Sequence, residues 1–162
     1  MHHEKVHKRE GAVKTLVTGG TGFTGNALSL RLRAMGHEVV ALDTKPGIFA
    51  DELRAAGVRI EIGSVADKSL VDRLSRGCHR IYHLAAAFRQ VNLGKRAYHD
   101  INVNGTRWVF EAAERHGVER HRAAIDGDDQ VRAFALQAHQ RFAGRAVSLH
   151  QPVGDIGAGG EP

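Results

Sequence analysis

Residues 18–25 read Thr18-Gly19-Gly20-Thr21-Gly22-Phe23-Thr24-Gly25, and they stand between an apolar run and a segment with helical spacing. Strand, glycine-rich turn and helix, in that order, are what a phosphate-binding turn requires. Gly19 would let the chain turn tightly, Gly22 would let the backbone approach a pyrophosphate, and Gly25 would let the helix pack closely on the strand. The first amides of the helix would then face the anion. A glycine triplet alone is a weak signal, so the rest of the chain must support it.

The composition is typical of one folded domain. The 162 residues are 42% hydrophobic and 25% charged, with a formal net charge of +5. The cationic residues are scattered among acidic ones, which disfavours a nucleic-acid partner. No apolar run approaches the ~20 residues of a membrane span, and the start lacks the apolar core of a signal peptide. The single cysteine, Cys78, has no metal-ligand partner at a recognised spacing. We therefore expect a cytoplasmic protein with no membrane contact and no metal.

Up to residue 120 the chain alternates between strand and helix patterns. Strands are predicted at 13–18, 38–42, 58–62 and 80–87, and helices at 23–35, 51–56, 68–75 and 102–116. This alternation predicts an α/β fold, a Rossmann-like doubly wound parallel sheet of four to five strands. We interpret residues 1–11 as a disordered N-terminus and 12–120 as the folded domain. Residues 121–162 read as an atypical tail, with one helix at 129–143 and a loose glycine-rich end.

Asp43 ends the second predicted strand, 24 positions after Gly19, near the spacing of the acidic residue that binds an adenosine ribose. A carboxylate there accepts hydrogen bonds from both ribose hydroxyls and repels a 2′-phosphate, which favours NAD over NADP. The alternative is that Asp43 merely caps the turn that follows. Lys45 keeps NADP open as the minority alternative.

The fourth predicted strand ends in His83 and a run of alanines. Small residues at the carboxyl end of a parallel strand permit close approach of a ligand. A catalytic role for His83 is open, but a histidine inside a strand is more often packed and hydrogen-bonded, and we expect that here.

With these residues in view, the chain resembles the extended short-chain dehydrogenase/reductase family, the NAD-dependent epimerases and dehydratases of nucleotide sugars and related substrates. The resemblance rests on TGGTGFTG at 18–25, Asp43, Asp67 after GSVA, HLAAA at 83–87 and NVNGTRWVFEAAERHGVER at 102–120. It extends over residues 13–120 in the family's order and spacing.

The resemblance implies that residues 12–120 form an NAD-binding Rossmann domain, and it assigns cofactor contacts along the chain. These are Gly19, Gly22 and Gly25 with the amides of Phe23 and Thr24 at the pyrophosphate, Asp43 at the ribose, Ser64 and Val65 at the adenine, Leu84, Ala85 and Ala86 along the cofactor, and Asn102 near the nicotinamide. Ser64 departs from the family pattern, which has an aspartate there, and loses a charged acceptor for the adenine amino group. A homodimer is also allowed, because the family's usual dimer helices include residues 88–116.

The family's catalytic groups, a Ser/Thr and a Tyr-x-x-x-Lys pair after the fifth strand, are not found in this sequence. Tyr82 and Tyr98 are its two tyrosines, neither has lysine at the fourth position after it, and no lysine follows Lys95. The stretch HRAAIDGDD at 121–129 does not supply the fifth strand, and no substrate lobe follows. We therefore predict an incomplete fold with no catalytic residues, a truncated NAD-binding portion that is not catalytic by itself. The alternative is a non-catalytic NAD-binding regulatory module or partner subunit.

Overall fold

Strands and helices alternate in the computed structural model, which describes residues 11–88, 92–124 and 147–150. The strands are β1 (Lys14–Thr18), β2 (Glu38–Asp43), β3 (Arg59–Ile62), β4 (Arg80–His83), β5 (Arg120–Ala124) and β6 (Val147–His150). The helices are α1 (Phe23–Ala34), α2 (Ala50–Ala55), α3 (Lys68–Ser75), α4 (Lys95–His99) and α5 (Thr106–Arg115), with a π-helical segment (Asp100–Gly105) between α4 and α5. None of the described helices is long and apolar enough to cross a membrane.

The strands form one parallel sheet in the order β3-β2-β1-β4-β5-β6. From β1 the chain winds outward through β2 and β3, and it then returns to place β4 on the other side of β1. The predicted Rossmann-like, doubly wound fold is therefore confirmed. Thr18 stands opposite Leu42 of β2 and His83 of β4, so three strands end together where the winding reverses. Open parallel sheets bind their ligands at this kind of edge.

Side chains that alternate along the central strands feed two cores, one on each face of the sheet. The α3–α5 core contains Leu16, Val40, Leu42, Val65, Val71, Leu74, Cys78, Ile81, Val109, Ala112, Ala113 and Val118. The α1–α2 core contains Val17, Leu32, Val39, Ala41, Leu53 and Val58. Because both faces are covered, β1 and β2 read as nearly continuous apolar runs, as buried parallel strands do.

The helix that follows β4 differs from the expected helix at 102–116. It begins at Lys95, and the π-helical segment Asp100–Gly105 widens it before α5 begins at Thr106. Trp108 packs against the α3–α5 core, and the Lys68 ammonium lies 4.2 Å from the centre of its ring. Trp108 therefore serves the packing of α5.

Beyond α5 the structure corrects the prediction that HRAAIDGDD supplies no fifth strand. Gly117 ends the helix with a φ of 65°, and Arg120–Ala124 then pairs in parallel with β4. The prediction was wrong because a parallel ladder is built from backbone groups, which this stretch provides without β-branched residues. β6 pairs with β5 and brings the sheet to six strands, one more than we predicted.

The sheet therefore extends into the stretch 121–162 that we set apart as a tail. The helix predicted at 129–143 lies outside the described residues, as do residues 1–10 of the predicted disordered N-terminus.

Candidate functional site

A cleft of about 280 Å³ opens at the carboxyl edge of the sheet, where the winding reverses. It is lined by Gly19, Gly22, Leu42, Asp43, Thr44, Lys45, Gly63, Ser64, Val65, Leu84, Ala85, Ala86, Ala87 and Ile101. The structure thus brings together most of the predicted site residues, drawn from four separate stretches of the chain. The predicted residues that do not line the cleft are Phe23, Thr24, Gly25 and Asn102.

The glycine turn adopts a backbone conformation that residues with a Cβ disfavour. Gly19 has a φ of 68°, in the left-handed region that favours glycine, and its amide donates to the Leu42 carbonyl at 2.8 Å. A Cβ on Gly19 would stand 2.8 Å from the backbone nitrogen of Ala85, and one on Gly25 would stand 2.0 Å from the Gly19 oxygen. Gly22 lines the cleft between them. The turn therefore keeps backbone, rather than side chains, against this part of the cleft.

Helix α1 begins beside this turn without a side-chain cap. Its N-cap, Gly22, supplies no side-chain hydrogen bond, and no acidic residue stands in its first turn. Because the first amides of a helix have no intrahelical carbonyl, Phe23 and Thr24 offer backbone N–H groups at the positive end of the helix dipole. The Phe23 side chain is 85% exposed and lies against Phe49, so only the backbone of Phe23 serves the prediction.

Asp43 joins the glycine turn to the end of β2. One carboxylate oxygen accepts from the Thr21 amide at 3.1 Å, and the other accepts from the Thr44 amide at 2.8 Å. The Thr21 hydroxyl donates to the Lys45 carbonyl at 3.0 Å and so fixes the same two loops together. Each carboxylate oxygen has two lone pairs, so the turn-capping bonds leave one on each oxygen for a diol. The observed geometry therefore fits both interpretations of Asp43, binding of a ribose and capping of the turn.

The far end of the cleft is formed by Ser64 and Val65. The Ser64 hydroxyl accepts from the Ala66 amide at 3.1 Å, which leaves its proton and one lone pair for another partner. Val65 is buried next to the π-helical segment, where a Cβ on Gly105 would stand 2.7 Å from the Val65 Cγ2 atom. The π-helical segment and this wall of the cleft are thus in direct contact.

Residues 84–87 leave the ladder after His83, whereas we predicted a strand to Ala87. Leu84 donates to the Thr18 carbonyl at 3.1 Å, and the Ala85 amide donates to the Thr18 hydroxyl at 3.3 Å. Asn102 meets the backbone of Ala87 twice, accepting from its amide at 2.7 Å and donating to its carbonyl at 3.0 Å. The Asn102 side chain therefore supports the wall of the cleft from behind, and a nicotinamide contact for it stays a prediction.

His83 is buried and bonded through both ring nitrogens. Nδ1 lies 2.6 Å from the Thr18 hydroxyl, and Nε2 lies 3.0 Å from the Thr106 hydroxyl. Burial lowers the pKa of His83 to about 4, so the ring is neutral at physiological pH. The packed, hydrogen-bonded role that we expected for His83 is confirmed.

Neither tyrosine is among the residues that line the cleft. Tyr82 lies in β4 and packs against the α1–α2 core, and Tyr98 lies in α4. Within residues 11–88, 92–124 and 147–150, no three His, Cys, Asp or Glu side chains come together in a way that could hold a metal ion.

The predicted site residues omitted part of the cleft lining, namely Leu42, Thr44, Lys45, Gly63, Ala87 and Ile101. Most of these adjoin predicted positions in the sequence, so extending each strand end by one residue finds them. Ile101 adjoins the predicted Asn102, and it lines the cleft from the π-helical segment, whereas Asn102 does not.

Comparisons with known proteins agree with this geometry. A model of the NAD dependent epimerase/dehydratase family matches residues 15–140, which is more than half of the chain. The 2-alkyl-3-oxoalkanoate reductase of Stenotrophomonas maltophilia is 35% identical over 111 residues, covering 67% of this chain and 32% of the reductase. The UDP-glucose 4-epimerase of Streptomyces lividans is 34% identical over 113 residues, covering 66% of this chain and 34% of the epimerase. The chain thus spans about a third of the length of these relatives.

Solved structures show the same fold. The Bordetella bronchiseptica enzyme WbmG, in complex with NAD and UDP, is 28% identical with a TM-score of 0.62, over 73% of this chain and 39% of that one. The dTDP-glucose 4,6-dehydratase DesIV of Streptomyces venezuelae, with NAD bound, is 24% identical with a TM-score of 0.67. That match covers 84% of this chain and 54% of the dehydratase, and it supports the fold alone.

Proposed function

This chain belongs to the NAD-dependent epimerase/dehydratase family, and from that premise we propose that its cleft binds NAD. We further propose that the chain is the cofactor-binding portion of an NAD-dependent oxidoreductase and is not catalytic by itself. The observation that carries the proposal is the glycine turn at the N-terminus of α1, with the Asp43 carboxylate on the same cleft.

The residues present fit a dinucleotide. The cleft keeps backbone against its phosphate side, since a Cβ at Gly19 or Gly25 would meet backbone atoms at 2.8 and 2.0 Å. The amides of Phe23 and Thr24 would hold the pyrophosphate, because a helix N-terminus favours an anion. Ser64 and Val65 would lie beside the adenine, and Leu84, Ala85 and Ala86 would run along the cofactor. Asn102 would stand behind its nicotinamide half.

Asp43 favours NAD over NADP in this proposal. Its free lone pairs would accept from the two ribose hydroxyls, and its charge would repel a 2′-phosphate. Lys45, which also lines the cleft, is a cation that would favour the phosphate. The carboxylate is held in place by two backbone amides, so we expect its effect to dominate.

When bound, the cofactor supplies a hydride acceptor or donor at its nicotinamide ring. This chain's own residues would bind and orient it. A proton would have to come from elsewhere, because the sequence has no Tyr-x-x-x-Lys pair and neither tyrosine lines the cleft. These observations support the proposal that the chain does not catalyse the reaction alone.

Calorimetric titration with NAD tests the binding proposal. We expect the chain to bind NAD and Asp43→Asn to bind it about tenfold more weakly, because charge-assisted hydrogen bonds are lost. Asp51→Asn is the matched control, since Asp51 is exposed in α2 and pairs with Arg54 on the same helix. Its affinity should match that of the unmodified chain within about twofold, because the substitution is remote from the cleft.

The absence of heat with NAD, or an Asp43→Asn affinity equal to that of Asp51→Asn, would remove the cofactor assignment. Circular dichroism of each variant shows whether the fold is retained. A parallel titration with NADP should give a weaker affinity than the titration with NAD. In Asp43→Asn the affinities for NAD and NADP should lie closer together.

NADH formation in the presence of nucleotide sugars and hydroxysteroid-like alcohols tests the second proposal. We expect no rate above that of the buffer. Turnover that disappears in Asp43→Asn but persists in Asp51→Asn would show that this chain is catalytic and that a group other than the expected tyrosine serves it.

A further inference from the structure

We propose that His83 is a positioning residue, which holds the wall of the cleft formed by residues 84–87 through a directional chain of hydrogen bonds from its neutral, Nε2-protonated ring. The consequence for cofactor affinity rests on the NAD binding proposed above. The hydrogen-bond chain itself rests only on the distances among Thr18, His83, Thr106 and Asn102.

Thr106 fixes which ring nitrogen carries the proton. The Thr106 hydroxyl has one proton, and it donates that proton to the Asn102 carbonyl at 2.7 Å, since a carbonyl can only accept. The same oxygen lies 3.0 Å from His83 Nε2 and must therefore accept there. Nε2 is accordingly the protonated nitrogen of His83.

The bonds of Thr18 are consistent with the same tautomer from the other side. The Ala85 amide can only donate, and it does so to the Thr18 hydroxyl oxygen at 3.3 Å. Because Nδ1 of a neutral ring is bare when Nε2 carries the proton, the Thr18 hydroxyl donates its own proton to His83 Nδ1 at 2.6 Å. The bond at Thr106 thus selects the tautomer, and in it every described donor of the chain has an acceptor.

Both ends of this chain return to the same wall of the cleft. One end is the Ala85 amide, and the other is Asn102, whose side chain bonds the amide and carbonyl of Ala87. Ala85 in turn lies so close to Gly19 that a Cβ there would meet its nitrogen at 2.8 Å. A shift of residues 84–87 would therefore be transmitted to the glycine turn.

The surroundings of His83 maintain the neutral form. The residue is 3% exposed, and burial is the cause that lowers its pKa to about 4. A charged ring would have to donate from both nitrogens, and Thr18 would lose the acceptor for its own proton. The neutral ring therefore gives each described proton of the chain an acceptor, and the charged ring does not.

Nitrogen NMR of the full chain with labelled histidines, at neutral pH and without NAD, tests the tautomer. We expect one ring with a protonated Nε2 and a bare Nδ1 that does not average with the other tautomer. Loss of its signal in His83→Gln assigns it, and a shift of the signal in Thr106→Ser assigns it if His83→Gln does not fold. An Nδ1-protonated, mixed or charged ring would overturn the proposal.

NAD titration of Thr106 variants tests the positioning. Thr106→Val removes the hydroxyl and should weaken NAD binding about fivefold or more, whereas Thr106→Ser keeps the hydroxyl and should restore it to within about twofold. Thr15→Val is the matched control, because Thr15 is also a buried threonine but its hydroxyl has no hydrogen-bond partner. We expect that control to bind NAD as the unmodified chain does.

The outcomes separate the two proposals. If the unmodified chain binds no NAD, the proposed function fails, while the NMR experiment still decides the hydrogen-bond chain. If the chain binds NAD but Thr106→Val and Thr106→Ser bind it equally, the positioning role fails and the proposed function stands. Equal weakening by Thr15→Val and Thr106→Val would also overturn the positioning role, because loss of any buried hydroxyl would then suffice.

Discussion

At the scale of single residues, burial makes His83 a source of pH-dependent stability. Its pKa is lowered from 6.5 to about 4 in the folded chain, so between those values only the unfolded chain takes up the proton. The free energy of unfolding is therefore fully present above about pH 6.5 and falls as the pH drops towards 4. We expect a loss of about 2 kcal/mol between pH 7 and pH 5, measured by urea unfolding.

His83→Gln is the control for that measurement, since glutamine does not titrate. Its free energy of unfolding should fall less steeply over the same pH range. An equal slope in both proteins would mean that other groups cause the dependence and that His83 is not held neutral by burial.

Cys78 is a second residue whose behaviour follows from burial. It is 4% exposed, its thiol donates to the Leu74 carbonyl at 3.2 Å, and burial raises its pKa to about 11. Because the thiolate is the reactive form, we expect the folded chain to react with iodoacetamide at pH 8 at least about a hundredfold more slowly than the urea-unfolded chain. Mass spectrometry measures both rates, and equal rates would contradict the burial of Cys78 and with it the packing of the α3–α5 core.

At the scale of elements, the contact between the π-helical segment and the cleft predicts a compensating pair of substitutions. A Cβ on Gly105 would stand 2.7 Å from Val65 Cγ2, so Gly105→Ala should push Val65 and weaken NAD binding about fivefold. Adding Val65→Ala removes the clashing methyl groups, and the double variant should bind NAD more tightly than Gly105→Ala alone. Calorimetric titration of the single and double variants gives the coupling between them.

Gly94→Ala is the matched control for that cycle, because a Cβ on Gly94 has no atom within 4 Å. We expect it to leave NAD affinity unchanged. Additive effects of Gly105→Ala and Val65→Ala would show that the two positions do not meet, and the helix would then have no direct hold on this wall.

Elements whose signals are local were predicted well from the sequence. Asp67 caps α3 by accepting from the Leu70 amide at 3.0 Å, as its position before an amphipathic run predicts. The π-helical segment and β5 were not predicted, because neither depends on a local pattern. β5 is stabilised by pairing with β4, and Arg120–Ala124 carries no strand propensity of its own.

At the scale of the whole molecule, the sequence alone could predict where the site lies but not the hydrogen bonds within it. The alternation of elements and the glycine turn predict the edge at which ligands bind, and that edge carries the cleft. The hydrogen-bond chain through His83 was not predictable, because its bonds join residues that are far apart in the sequence. Thr18 and His83 are separated by 65 positions, and His83 and Thr106 by 23. Only the packing of β1, β4 and α5 brings Thr18, His83 and Thr106 together, and no spacing in the sequence encodes those distances.

The separation of the α1–α2 core from the cleft leads to a prediction for the whole fold. Leu53 is fully buried in the α1–α2 core and does not line the cleft. Leu53→Ala should therefore lower the free energy of unfolding by about 3 kcal/mol without changing NAD affinity. Asp43→Asn should mainly weaken NAD binding, because its carboxylate lines the cleft, and it should cost less stability than Leu53→Ala, because asparagine keeps one oxygen as an acceptor for a backbone amide.

Thermal unfolding with and without NAD distinguishes these effects. NAD at about 100 times its Kd adds about 2.7 kcal/mol, which for a chain of this size raises Tm by about 5–10 °C. Leu53→Ala should start from a lower Tm and keep the full rise, whereas Asp43→Asn at the same NAD concentration should keep about half of it. A full rise in Asp43→Asn would contradict the role of Asp43 in NAD binding, because stabilisation by a ligand depends on its affinity for the folded state. Loss of the rise in Leu53→Ala would show that the cleft depends on the α1–α2 core.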